Sequence, residues 1–264
     1  MIPVSYVQAW SVKAHWPDAR QSEQDLIICR ALCDLFNAPA LKDKIAFRGG
    51  TAINKLLLKQ PLRYSEDIDL VQTQAGHSMH LVFKFTPEAD PQATLKLKVE
   101  INTREHQHLF GIRSYPFAVN SDWYQGETEI ASFEPEEIFG TKLRALLQRR
   151  KNRDLFDLHH GLDQLAMDRD KLIACFDHYL ALEGKPITRA VAEQRMLEKL
   201  TRSLTEDIAP LLPAGVRFND DDAMLAFEHV WTELITRIKG DAWKLTDKAL
   251  EELRTKKYPG LLSR

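Results

Sequence analysis

Residues 48–70, RGGTAINKLLLKQPLRYSEDIDL, join a glycine turn to a pair of acidic residues. A strand candidate at 44–47 leads into Gly49-Gly50-Thr51, and a helix is predicted from about 52 to 59 because Pro61 ends it. Two glycines let the backbone approach a ligand closely, and amides at a helix start favour phosphate. The turn therefore indicates phosphate binding, although such turns also occur for purely steric reasons.

The acidic pair lies at the start of the next strand candidate. Alternation along a strand points Asp67 and Asp69 to one face while Ile68 faces the core. Two carboxylates so close together repel each other unless a cation lies between them, and oxygen ligands of this kind suit Mg²⁺. The pair predicts a Mg²⁺ site. The alternatives are a solvated strand end or a turn aspartate that caps its own backbone.

A third carboxylate follows on an alternating segment, residues 94–101. Glu100 lies there between apolar neighbours that face the opposite way. If this strand lies beside the strand of the acidic pair, three carboxylates converge, which is the arrangement that two-metal phosphoryl transfer requires. Glu100 is therefore predicted to be a metal ligand. The alternative is an ion pair with Lys96 or Lys98 on the same sheet.

The chain changes character near residue 134. Before that point, a helix at 22–37 is followed by strand candidates, and after Pro135 the helical spacing dominates. We predict an α+β protein, with a mixed sheet and helices in residues 1–134 and an all-helical half in residues 135–264. The further strands are predicted at 68–71, 80–86, 94–101 and 129–133, and the later helices at 136–150, 154–166, 169–183, 188–208, 221–239 and 242–256.

Composition restricts the class of protein. Lys and Arg total 36 against 38 Asp and Glu, a formal net charge of −2, which argues against coating nucleic acid by bulk charge. No run approaches the roughly 18 apolar residues of a membrane span, so we expect no membrane partner. The N-terminus, Met1-Ile2-Pro3-Val4, has no signal-peptide pattern.

The cysteines indicate a reducing compartment. There are three, Cys29, Cys33 and Cys175, and an odd, sparse count suits reduced thiols, so we expect a cytoplasmic protein. Cys29 and Cys33 lie four apart on a predicted helix, but no second pair completes four metal ligands. We therefore interpret them as small buried thiols.

Four ordered motifs resemble a known family. The glycine turn and the Asp-x-Asp segment resemble the nucleotidyltransferase signature. Residues 133–146, FEPEEIFGTKLRAL, and 153–158, RDLFDL, are similar to the later motifs of the AbiEii/AbiGii nucleotidyltransferase-like toxins. These are the toxin half of type IV toxin–antitoxin and phage-abortive-infection systems. The match covers roughly residues 45–165 and implies a nucleotidyltransferase-like sheet domain.

The resemblance implies an activity and its partners. Members of the family are thought to bind a nucleoside triphosphate with Mg²⁺, and some transfer nucleotides to the 3′ acceptor end of tRNA, which stops translation. The expected partners are an NTP, an RNA, with tRNA foremost, and a cognate antitoxin. The alternatives are a nucleotide-binding or antitoxin-binding module without transferase activity, and a phosphotransferase acting on a protein or small hydroxyl.

The resemblance also assigns roles to residues. Asp67 and Asp69 become catalytic metal ligands, Lys142 neutralises triphosphate charge, and one of Asp154 and Asp157 is the family's last acidic residue. The nucleotide site comprises Gly49, Gly50, Thr51, Ser65 and Lys142.

Without the resemblance, the later motifs have ordinary interpretations. Lys142 is then a solvated residue on a helix, and Asp154 is the N-cap of the next helix, with Asp157 in a capping-box position.

A basic stretch joins these two motifs. Six basic residues and no acidic one lie between Lys142 and Arg153, and positions 142, 149 and 153 are predicted to share one helical face. Such a run is usually a solvated surface. Next to a nucleotide site, it is also suited to bind a triphosphate or an RNA backbone without sequence specificity.

Overall fold

The structure is a computed structural model that describes residues 2–73, 79–87, 90, 92, 94–103, 105 and 107–262. The chain forms two compact units. One comprises Met1–Glu134 with Leu211–Val216, and the other comprises Pro135–Pro210 with Arg217–Arg264. We call them the sheet unit and the helical unit.

Six strands of the described residues form one sheet in the order β3-β4-β2-β1-β6-β5. β2 is parallel to β4 and β1 is parallel to β6, whereas the other neighbours are antiparallel. The sheet is therefore mixed, and the predicted α+β class is confirmed. The strands are β1 Ile45–Arg48, β2 Asp67–Gln72, β3 Met79–Phe85, β4 Leu95–Asn102, β5 Ile112–Asn120 and β6 Gln125–Phe133.

The sheet unit contains three helices, α1 Val4–Ala14, α2 Ala19–Asn37 and α3 Gly49–Ala52, among its described residues. A π-helical turn, Ile53–Leu57, continues α3. The apolar face of α2 packs on the sheet and forms the core with β1, β2, β4 and β6. Its helix starts earlier than the predicted residue 22, because the Asp18 side chain accepts the Arg20 N–H and caps it.

The sequence did not predict two elements of the sheet unit, β5 and α1, and it predicted a shorter β6. β5 is mostly exposed and contains Pro116, which a strand tolerates at the edge of a sheet, so its sequence lacks a clear apolar alternation. β6 begins four residues before the predicted strand because it pairs with β5 along its whole length. Helix α1 buries only Val7 and Ala14, too few positions for a helical period.

The helical unit consists of α4 Pro135–Gln148, α5 Arg153–Gln164, α6 Arg169–Glu183, α7 Arg189–Lys199, α8 Asp220–Glu233 and α9 Thr246–Lys256, with short 3₁₀ turns at Ala209–Leu211 and Ile235–Arg237. The predicted helix 188–208 is wrong beyond Lys199. The Ser203 hydroxyl accepts the N–H groups of Thr205 and Glu206, and this local turn competes with the helix. Among the described residues, the helices lack the combined length and apolar character that crossing a bilayer requires.

A short segment of the second half, Leu211–Val216, belongs to the sheet unit. Tyr64 donates its N–H to the Leu211 carbonyl at 2.6 Å, and Ala214 donates to the His15 carbonyl at 2.7 Å. The sequence gives no sign that this segment belongs with residues 1–134, because the hydrogen bonds join backbone groups far apart in sequence.

Glycines let the helices of the helical unit approach closely. A Cβ at Gly140 of α4 would lie 2.6 Å from Cβ of Cys175 and 2.9 Å from the Leu172 carbonyl oxygen, both on α6. A Cβ at Gly161 of α5 would lie 2.1 Å from the ring of Phe139 on α4. The glycine of FEPEEIFG is therefore needed for helix packing, apart from any role of the motif in the site.

We expect Gly140→Ala to lower the free energy of unfolding by up to about 2 kcal/mol, because overpacking of the α4–α6 contact costs about 1–3 kcal/mol and alanine regains roughly 1 kcal/mol in a helix interior. Urea denaturation measures the change. Gly260→Ala, at a turn position, is the control, since apart from its chain neighbours no atom of the part of the chain that the structure describes lies within 4 Å of its Cβ position. Equal stability of the two variants would contradict the packing argument.

Candidate active site

The glycine turn lies directly against one carboxylate of the acidic pair. Gly49 has a φ of +83°, and a Cβ at this position would lie 2.1 Å from Oδ2 of Asp69. Both the left-handed backbone and the carboxylate therefore exclude a side chain. Asn54 donates to the Gly50 carbonyl at 2.9 Å and accepts the Leu62 N–H, which fixes the chain that follows the turn.

Thr51 ties the turn to the start of β2. Its side-chain oxygen is 2.8 Å from the Ser65 hydroxyl and donates to the Asp67 carbonyl at 2.5 Å. Thr51 is 1% exposed, and Ser65 is half-buried. These hydrogen bonds bring the predicted nucleotide-binding residues of two separate motifs together.

A buried ion pair anchors the turn that follows. Lys55 Nζ lies 2.6 Å from Oδ1 of Asp25 on α2, whose Oδ2 accepts the Trp10 indole N–H at 2.9 Å. Burial alone would lower the pKa of Lys55, but the Asp25 carboxylate outweighs it and raises the pKa. Burial also raises the pKa of the adjacent Cys29 to about 12, so this thiol stays neutral. Cys29, Cys33 and Cys175 are free and buried, as expected.

The three predicted carboxylates lie on neighbouring strands. β2 and β4 are parallel, and Asp69 lies opposite Glu100 while Asp67 lies opposite Lys98. The two aspartates and Glu100 are each half-buried. On the other side of β2, Asp69 lies opposite Arg48 of β1. The expected proximity of the two strands is therefore correct, and Asp69 is central to the arrangement.

Glu100 also makes the ion pair that was the alternative interpretation. Its Oε1 lies 2.7 Å from Nζ of Lys98. The hydrogen bond from Lys98 to Glu100 raises the lysine pKa, and the charges of Asp67 and Asp69 raise it further. Lys98 is thus a cation of this site, detectable in the sequence because alternation places it on the same strand face as Glu100.

The donor set of β2 fits a hard divalent cation. It offers carboxylate oxygens, and the missing side chain of Gly49 leaves room for the carboxylate of Asp69 against the turn. No group of three or more His, Cys, Asp or Glu in a metal-binding arrangement occurs among the described residues. Mg²⁺ is usually held by one or two carboxylates with substrate phosphates, so the Asp67–Asp69 pair is a sufficient protein contribution.

Two positioning residues were not recognised from the sequence. Arg48 donates to Oε2 of Glu105 at 2.6 Å, and both side chains are 17% exposed. Gln24 of α2 donates to the carbonyl of Lys96 at 2.9 Å and lies 3.3 Å from that of Glu66, which holds β4 and the start of β2 together. Arg48 stands next to the glycine turn, but nothing local indicates a role for Gln24.

In the helical unit, Lys142 joins the two later motifs. Its Nζ lies 3.1 Å from Oδ1 of Asp154 and 2.9 Å from Oδ2 of Asp157. All three side chains are buried, so the interpretation of Lys142 as a solvated residue is wrong. The capping interpretation of Asp154 is also wrong, because α5 begins at Arg153 after an Asn152 N-cap position.

The basic stretch is divided between the interior and the surface. Because α4 ends at Gln148, the prediction that positions 142, 149 and 153 share one helical face is wrong. Arg144 is buried, stacks on Tyr179 and pairs with Glu183 at 2.9 Å. Arg149 lies in the turn after α4, with its Nε 3.1 Å from Oδ2 of the fully buried Asp154.

A mixed sheet with a glycine turn against one carboxylate of an acidic pair agrees with the predicted nucleotidyltransferase class. Comparison with family models identifies the group more narrowly. The model "Nucleotidyl transferase AbiEii toxin, Type IV TA system" matches residues 30–82 and 72–233. The chain therefore belongs to the AbiEii family of nucleotidyltransferase toxins, as the motifs indicated.

A solved nucleotidyltransferase toxin shares this fold. The nucleotidyltransferase toxin MenT4 from Mycobacterium tuberculosis has a TM-score of 0.64 and 14% identity, covering 97% of this chain and 99% of MenT4. An antigenic nucleotidyltransferase-like protein from Paracoccidioides brasiliensis is less similar, with a TM-score of 0.38 and 17% identity, covering 64% of this chain and 96% of that protein. No curated protein matches the chain.

We expect Gly49→Ala to displace the Asp69 carboxylate and to lower nucleotidyl transfer at least tenfold, a loss of roughly 1.4 kcal/mol in transition-state stabilisation. Gly111→Ala is the matched control, since Gly111 has a φ of +93° and, its chain neighbours aside, no atom of the described residues lies within 4 Å of its Cβ position. Both variants bear the backbone strain, and only the first bears the clash. If Gly49→Ala and Gly111→Ala had equal activity in a labelled-NTP assay, the activity would not depend on the absence of a side chain at residue 49.

We expect Lys142→Met to lower the free energy of unfolding by about 3–5 kcal/mol, because it removes the buried cation that Asp154 and Asp157 share. Lys151→Met makes the same change at an exposed position of the basic stretch and should leave stability nearly unaltered. Urea denaturation at neutral pH compares the two. A Lys142→Met protein as stable as the control would show that the triad is not a buried ion-pair network.

Proposed function

We propose that this chain is a Mg²⁺-dependent toxin that transfers a nucleotide from an NTP to an RNA 3′ end, with tRNA as the acceptor, and thereby stops translation. The observation that carries the proposal is the contact of Gly49 with Asp69, which joins a phosphate-binding turn to a carboxylate pair. Membership of a nucleotidyltransferase toxin family supports it. In this proposal the protein acts in the cytoplasm, where tRNA is found, and a cognate antitoxin restrains it.

The turn is suited to hold the triphosphate. Gly49 and Gly50 present backbone without side chains, so phosphate oxygens have access to their amides. Thr51 and Ser65 hold the turn against the start of β2 through their shared hydroxyl contact, which keeps the phosphates beside the carboxylates. Ser65, being half-buried, is the better placed of the two hydroxyls to reach the nucleotide.

Asp67 and Asp69 are the proposed ligands of Mg²⁺, with Glu100 as a third. The bound ion would neutralise phosphate charge and activate the attacking hydroxyl. Glu100 would then exchange part of its contact with Lys98 for the metal. Lys98 would remain on this face as a second positive charge beside the phosphates.

The proposed reaction is an in-line transfer. The RNA 3′ hydroxyl attacks the α-phosphorus of the NTP and loses its proton, a new phosphodiester forms, and pyrophosphate leaves. Little covalent chemistry falls to the protein in such reactions, which are accelerated by positioning and charge stabilisation. The fixed geometry around Asp69 supplies the positioning.

The roles of Lys142, Asp154 and Asp157 are part of the proposal. The family resemblance assigns Lys142 to the triphosphate, and each aspartate contacts its ammonium. We propose that the two carboxylates position Lys142. Asp154 contacts two cations, Lys142 and Arg149. Asp157 also contacts Lys142.

We expect Asp69→Asn to reduce transfer of α-labelled NTP to total tRNA at least a hundredfold, about 2.7 kcal/mol, because it removes the central negative charge of the site. Asp122→Asn makes the same change at an exposed carboxylate of the sheet unit and should retain activity. The assay measures labelled tRNA in the presence of Mg²⁺.

Three outcomes would contradict the proposal. Transfer that survives Asp67→Asn combined with Asp69→Asn excludes these carboxylates from the mechanism. Label transferred from γ-labelled instead of α-labelled NTP indicates a phosphotransferase. NTP binding without any product across total RNA indicates a binding module.

A further inference from the structure

A basic cleft of about 430 Å³ lies in the helical unit between the end of α4 and the end of α7. Five cationic side chains and one acidic side chain line it, a formal charge of +4 within a chain whose total is −2. These residues are Arg149, Arg150, Arg195, Lys199, Arg202 and Glu198. The cleft is a concentration of positive charge that the proposed chemistry has not used.

Backbone carbonyls at the end of α4 fix the floor of the cleft. Arg195 donates to the Leu147 carbonyl at 3.1 Å, and Lys199 donates to the Arg149 carbonyl at 3.0 Å. The Leu147 carbonyl belongs to the last turn of α4 and the Arg149 carbonyl follows it, so neither has an intrahelical partner. The two side chains therefore cap the helix end and hold their remaining N–H groups in the cleft.

The cations of the cleft are only partly neutralised. Burial lowers the pKa of Lys199 to about 8, the charge of Arg149 lowers it too, and the carboxylates of Asp154 and Asp207 act in the opposite direction. Arg149 is paired with Asp154 at 3.1 Å. Arg150 and Arg202 are exposed, and neither makes an ion pair with a residue that the structure describes.

The lining favours a phosphate backbone over a single nucleotide. Guanidinium groups bind phosphate through paired N–H donors and are suited to contacts that ignore sequence. Among the described lining residues there is no aromatic ring on which a base could stack. Arginines from the turn after α4 and from the end of α7 are spread across an open cleft, which suits consecutive phosphates of a strand.

We propose that this cleft binds the phosphodiester backbone of the acceptor RNA, an inference that rests on the proposed transfer to an RNA. The inference gives the RDLFDL motif a positioning role, since the buried Asp154 holds Arg149 at the rim of the cleft. Binding would depend on salt and would be nearly independent of sequence.

The test uses the full chain with Arg150→Glu and Arg202→Glu combined. Lys244→Glu with Lys248→Glu is the matched control, because both lysines are exposed in the helical unit and lie outside the cleft lining. Fluorescence anisotropy of labelled total tRNA, without NTP or Mg²⁺, gives Kd at several KCl concentrations. We expect the cleft variant to bind at least tenfold more weakly, and the slope of log Kd against log [KCl] to fall by about 1.5 for two lost phosphate contacts.

The outcomes separate this inference from the proposed function. An unchanged Kd, or an equal loss in the control pair, overturns the inference, and so does a wild-type protein that binds no tRNA. Weaker NTP binding with intact tRNA binding also overturns it, because the cleft would then serve the triphosphate. If wild-type tRNA binding is lost in the cleft variant but no transfer is ever seen, the cleft stands and the proposed reaction fails. Arg150→Gln combined with Arg202→Gln repeats the tRNA-binding test without charge reversal. Circular dichroism of each protein checks that it is folded.

Discussion

Asp69 can occupy its position only because residue 49 is a glycine and has no side chain there. β1 and β2 are antiparallel, with Arg48 opposite Asp69, so the chain leaves β1 directly beside the carboxylate. A Cβ at Gly49 would lie 2.1 Å from Oδ2 of Asp69, and the φ of +83° carries the backbone past it. The glycine turn and Asp69 are therefore geometrically coupled, and a change in either moves the other.

Other contacts of the sheet unit fix the glycine turn and the acidic pair in place. A pair of neighbouring carboxylates is electrostatically unfavourable before a cation binds, so it persists only on a scaffold that resists relaxation. The Thr51 hydroxyl ties the turn to the start of β2, and the Lys55–Asp25 pair ties the following residues to α2. Burying Lys55 alone would be costly, and Asp25, itself bound by the Trp10 N–H, offsets that cost.

The sequence predicted the parts that depend on local periodicity and on a familiar order of motifs. Alternation placed Asp69 and Glu100 correctly on β2 and β4, because one face of each strand is buried. It did not predict β5, an exposed edge strand with Pro116, or the buried ion pairs of Lys142, whose partners lie twelve and fifteen residues away. Local capping rules favoured a surface role for Asp154, since burial of a charge is decided by tertiary contacts that no short pattern records.

Tertiary pairing also decides which charges remain available for a partner. Lys142 and Arg149 are balanced by Asp154 and Asp157, two positive against two negative charges. Around the cleft, the four remaining cations Arg150, Arg195, Lys199 and Arg202 face Glu198 and the nearby Asp207, which leaves two positive charges. Among the arginines that line the cleft, Arg150 and Arg202 are exposed and make no ion pair with a residue that the structure describes. A net charge of −2 therefore says little about affinity for a polyanion, because the fold neutralises the interior cations and leaves the cleft positive.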